Sequence, residues 1–172
     1  MREPVVKSRM FLFAAAVAAA LMTTVAVHAQ EPLKLPTQQE TLAKWPWSIT
    51  VHPAPFQQQR VQFTLKPTEG MEYKYRLEKG GTFLYSWTAS SDLYWELHSE
   101  PEGSPRGYAE FFDTNQGAAS HGAYQAPFPG IHGWWWENKS DREVTITLST
   151  SGFYTESREF RRGQPVKITP LK

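Results

Sequence analysis

The chain contains no cysteine. That excludes disulfide bridges, thiol catalysis and lipid attachment through an N-terminal cysteine. It also lacks a dominant charge: 18 Lys and Arg stand against 17 Asp and Glu. Past residue 29 the balance is 15 basic to 16 acidic residues. A chain so nearly neutral has no general attraction for nucleic acid or anionic lipid. No GxSxG elbow, P-loop, HExxH helix or glycine-rich dinucleotide fingerprint occurs, so no reaction class is marked by motif. Helical periodicity is scarce, and there is a single long uncharged apolar run.

That run is residues 10–27, preceded by Arg2, Lys7 and Arg9 and followed by Val27-His28-Ala29. A positive region, an apolar stretch and small residues before a cleavage point make residues 1–29 a signal peptide, cut before Gln30. The alternative is an uncleaved inner-membrane anchor, because 18 residues reach the lower limit for spanning the hydrocarbon core. Either reading exports the folded part, which makes it periplasmic or secreted. Residues 30–45 form a polar linker in which Thr37-Gln38-Gln39-Glu40 fits a capping box for one short helix. Residues 46–172 are expected to be one domain held by its apolar core.

In that domain apolar residues recur with period two. Val61, Phe63 and Leu65 begin the series, followed by Met71, Tyr73, Tyr75 and Leu77, then Phe83, Tyr85 and Trp87. Leu93, Trp95 and Leu97 continue it, and Val144, Ile146 and Leu148 close it. Such alternation marks strands with one face on a core. Turn chemistry separates them at 67–70, 80–81, 90–92 and 138–141. The spacing predicts an all-β, antiparallel, jelly-roll-like β-sandwich of seven to nine strands. Residues 99–122, with Pro101, Gly103, Pro105, Gly107 and Gly117, read as a long excursion broken by one strand near 108–112. Asn138-Lys139-Ser140 matches the glycosylation acceptor pattern but reads as the turn of a hairpin joining 131–137 to 143–149.

Two constellations could carry chemistry. In an extended strand His132, Trp134 and Trp136 share one face. If Ile131 and Trp135 enter the core, the other three form, with Tyr124, an aromatic shelf for a sugar ring, a peptide or a partner protein. If the phase is reversed, the tryptophan pair is core. On the 92–98 strand, Glu96 and His98 lie two apart on the face opposite Leu93, Trp95 and Leu97. With His121 and His132 they would supply the imidazole and carboxylate ligands that zinc or copper prefers. Glu96, Glu110 and Asp113 are carboxylates that a glycosidase could pair. Arg158, Arg161 and Arg162 form a small basic cluster that reads as a solvated strand end.

The run Leu84-Tyr85-Ser86-Trp87, the run Glu96-Leu97-His98-Ser99-Glu100-Pro101 and the HGWWW segment at 132–136 resemble a family of bacterial exported proteins described as transmembrane anchor proteins. The tail from Val144 through Gly152-Phe153-Tyr154 belongs to the same resemblance, which covers about residues 68–155. It implies a membrane-spanning segment, a linker and a periplasmic β domain, and it carries no established activity. Ser99 stands where the family tends to have glycine, and the linker here is shorter. Taken together, the sequence predicts an exported, non-catalytic binding module for a protein or small-molecule partner. Periplasmic zinc or copper binding is the alternative, and hydrolysis a third class.

Overall fold

The computed structural model describes residues 33–171. The leader read at 1–29 lies outside them, and among the described residues no helix is long and apolar enough to cross a membrane. The chain divides into two compact units after Ser48. The first unit contributes helix α1 (Gln38–Lys44), capped as the sequence implies. The Glu40 amide donates to Thr37 Oγ1 at 3.2 Å, and the Thr37 amide donates to the Glu40 carboxylate at 2.8 Å.

The second unit, from Ile49 onward, is all-β and antiparallel. Its strands are β1 (Phe56–Leu65), β2 (Gly70–Leu77), β3 (Thr82–Pro101), β4 (Glu110–Gln125), β5 (Gly130–Glu137), β6 (Val144–Phe153), β7 (Glu156–Arg161) and β8 (Lys167–Pro170). They pair in the order β1-β6-β3-β5-β2-β7-β8, with β4 on β3. The eight strands are one hydrogen-bonded sheet, curled on itself, in place of the two separate layers expected of a sandwich. The continuity comes from β3: residues 83–89 pair with β6, residues 94–101 pair with β5, and β4 follows β3 along both halves.

Three expectations change. The turn foreseen at Ser90-Ser91-Asp92 is a bulge inside one 20-residue strand, where the register slips between Thr88 and Leu93. Extra residues in a paired strand bend it without ending it. The excursion foreseen over 99–122 shrinks to a turn, because β4 occupies 110–125. That strand pairs on one side only and is exposed along almost its whole length, so it had no reason to alternate apolar with polar residues. The hairpin foreseen around Asn138 does not form either, since β5 and β6 pair with other strands. Instead Asn138 is buried, and its amide donates to the carbonyls of Leu65, Lys66 and Arg142 at 2.6–3.1 Å. It ties a crossover from one half of the sheet to the other.

The core is what the alternation selected. Phe63, Leu65, Met71, Tyr75, Phe83, Trp87, Leu93, Trp95, Val144, Ile146 and Leu148 are all buried in one cluster. Indoles join the halves: Trp87 meets Trp95 at 5.6 Å and Trp136 at 5.8 Å between ring centroids, both edge-on. Replacing Trp136, which has no exposed surface, by alanine should cost about 3–5 kcal/mol of stability in urea unfolding. Thr114→Ala, on the exposed strand β4, should stay within about 0.5 kcal/mol. Similar small losses for both would contradict this core.

Candidate functional site: a polar and aromatic pocket on the outer face

Cross-strand register decides which predicted residues can meet. Tyr73 pairs with Trp134, Met71 with Trp136 and Tyr75 with His132, so these side chains share the inner face. Trp134 and Trp136 are fully buried and stack at 5.7 Å with planes 13° apart. The aromatic shelf is therefore corrected to core. His132 and Tyr124 go inward with the two indoles. The Tyr124 hydroxyl lies 2.9 Å from His132 Nδ1, and Ser99 Oγ lies within 3.0 Å of both. This is an internal polar stitch between β3, β4 and β5.

The four-residue metal set also separates. His121 is exposed in the other half of β4, its Nδ1 2.8 Å from Ser86 Oγ. His132 is on the inner face, whereas His98 is on the outer one, because Ser99 pairs with His132 and adjacent strand residues point oppositely. Only Glu96 and His98 stay together, with His98 Nδ1 3.8 Å from the Glu96 carboxylate. The proposed glycosidase carboxylates divide too. Glu96 pairs with Thr114, Asp113 pairs with the inward-facing Leu97, and Glu110 accepts the Tyr108 hydroxyl. The basic cluster is neutralised in part: Arg158 is 2.6 Å from Glu156, and Arg161 is 2.7 Å from Glu159 and 2.8 Å from Glu69.

What surrounds His98 was not singled out from sequence. Two cross-strand rows meet on the outer face of β2, β5 and β3. One runs Glu72, Trp135, Glu96, and the next runs Lys74, Gly133, His98. Gly133 is required between the last two, because a Cβ there would sit 2.1 Å from the Tyr73 carbonyl oxygen. Lys74 is completely buried, yet its ammonium lies 2.7 Å from Glu72 and donates to Glu100. The Phe160 ring stands 5.8 Å from the same nitrogen. A buried ammonium is tolerated only with such partners, since desolvation alone would cost several kcal/mol. A β-bulge between Leu97 and His98 turns Phe111 onto this face, where it stacks on the imidazole at 5.4 Å.

These groups line a pocket of about 300 Å³ bounded by Glu72, Glu96, His98, Glu100, Tyr108 and Trp135. His98 is 5% exposed, and its Nδ1 has no hydrogen-bond partner. Burial, with help from the Lys74 charge, pushes the His98 pKa down to about 4, and burial does the same for His132. The pocket thus presents three carboxylates and an imidazole that is neutral at pH 7, with the Lys74 ammonium buried behind two of the carboxylates. The alternation on β2 implied Glu72 and Lys74 as the complement of its apolar face. Their meeting with His98 depended on register, which no local pattern carries.

Both imidazoles should titrate with midpoints near pH 4 when followed by NMR. The unfolded chain protonates them near 6.5. Stability from this source is therefore complete above pH 6.5 and is lost as pH falls toward 4, by about 3 kcal/mol per histidine. Titration of either ring near 6.5 would contradict the burial described. No protein-family model matches the chain, and no curated protein is similar to it.

Proposed function

We propose that the protein is an exported, non-catalytic binding module whose outer-face pocket receives a cationic group of its partner. One observation carries the reading: Glu72, Glu96 and Glu100 line a cavity with the rings of Trp135 and Tyr108, and no Lys or Arg among the described residues lines it, the buried Lys74 ammonium pairing with Glu72 and Glu100 from behind. Excess negative charge next to aromatic rings suits an alkylammonium or guanidinium, through both ion pairing and cation–π attraction. The small volume suits one side chain or one small amine, not an extended polymer. The sequence pattern at 1–29, read as a leader cleaved or retained as an anchor, and the resemblance to periplasmic anchor proteins support the reading that this pocket lies outside the cytoplasmic membrane.

Divalent metal binding is the second reading. Glu72, His98 and Glu100 each offer a ligand atom within 4.8 Å of the others. Zinc or copper there would have to displace the Lys74 ammonium from two of those three ligands, which ranks this reading below the first. A rise in melting temperature on adding zinc, lost in His98→Ala, is the result that would reverse the ranking.

The test is an NMR titration of the Trp135 indole with acetyl-arginine amide and with its uncharged analogue acetyl-norleucine amide. The arginine derivative should shift Trp135 and the neutral one should not. Glu96→Gln should weaken the arginine derivative about tenfold, equivalent to about 1.4 kcal/mol. Equal responses to both ligands, or none to either, would refute a cationic ligand.

A further inference from the structure

Two parts of the chain lack a strand partner among the described residues, and they fit each other. The first is the free edge of β4, which is hydrogen-bonded to β3 alone. From Thr114 to Gln125 it contains no charged residue and no proline, the two devices that usually protect an edge from pairing. Its last seven residues, Ala119–Gln125, keep unbroken register with β3. Alongside them lies an apolar groove of about 320 Å³ lined by Phe56, Leu84, Ala123 and Phe153. Phe56 is 56% exposed and Leu84 63%.

The second is the segment 45–51. Trp45, Trp47, Ile49 and Val51 alternate with Pro46, Ser48 and Thr50, and Trp47, Ile49 and Val51 are 66–88% exposed. This is the period of a strand with one apolar face, but residues 45–48 form a turn in which the Ser48 amide donates to the Trp45 carbonyl at 3.1 Å, and pairing as a strand requires that turn to open.

We propose that segment 45–51 of one copy adds as a strand to the free β4 edge, Ala119–Gln125, of a second copy. The seven residues of the donor match the seven of the acceptor. Neither carries a charge, so pairing desolvates none. Trp47, Ile49 and Val51 enter the apolar groove beside Ala123. Backbone groups along a strand point alternately to its two sides. When those of Trp47, Ile49 and Val51 face β4, Pro46, which has no N–H to give, faces away. Backbone hydrogen bonds supply affinity and the groove supplies selectivity, as in strand addition generally. The occupant is another copy of this chain because donor and acceptor are encoded together, at equal stoichiometry.

Sedimentation velocity of the purified chain up to about 200 μM should show concentration-dependent association. The double variant Trp47→Ser/Ile49→Ser and, separately, Ala123→Lys should both be monomeric, with melting temperatures within about 2 °C of the natural chain. Where either variant melts lower, a synthetic peptide of residues 44–52 replaces it and should dissociate the natural assembly. A monomer at every concentration overturns the proposal. So does association that survives the donor variant, which would mean that edges pair with one another. Association lost with the donor variant but kept in Ala123→Lys overturns it as well, since the donor would then dock elsewhere.

Discussion

The packing of Trp87 against Trp95 and Trp136 is the contact on which the rest of the structure depends. Without disulfides, the two halves of a curled sheet are held by apolar contact and by β3, which crosses between them with β4 alongside. Trp87 and Trp95 sit on either side of the bulge in that strand, so their edge-on contact fixes how sharply it bends. Trp136, brought in by β5, closes the angle from the other half. Buried aromatics of this size contribute several kcal/mol each. A smaller residue at any of the three positions would loosen both halves together.

The same contact determines the chemistry outside. Once Trp134 and Trp136 are inward, strand geometry leaves no choice for Trp135, which must stand on the outer face between Glu72 and Glu96. His132 must go inward, and His98, one residue out of step with its neighbour Ser99, must go outward. The gap at Gly133 then lets Lys74 and His98 approach from either side. A fully buried ammonium is an expensive feature for a domain without disulfides to retain, and its two carboxylate partners are what make it tolerable. The excess negative charge that remains is what a cationic ligand would meet.

Much of the fold could be read from the residues themselves. The alternation named nearly every inward side chain on β1, β2, β3 and β6, and the Thr37–Glu40 cap located the helix. Strand β4 could not be read, because an exposed edge strand has no buried face to impose a pattern on Thr114 through Gly122. The bend in β3 looked like a turn because Ser90-Ser91-Asp92 has turn chemistry, whereas the pairing partners on both sides kept the strand running. The site was half legible. Glu96 and His98 are neighbours by strand period alone, but Glu72, Lys74 and Glu100 join them only through the register of β2 on β5 and β5 on β3. Histidines at 121 and 132 could not be excluded without knowing that they lie in the other half of β4 and on the opposite face.

Amide-type exchange of the indole N–H protons, resolved tryptophan by tryptophan, tests the face assignment most directly. Trp87, Trp134 and Trp136 should exchange only through global unfolding, while Trp135 exchanges through local opening. Rapid exchange at Trp134 and Trp136 with protection at Trp135 would reverse the faces of β5, and the pocket around His98 would no longer have its wall.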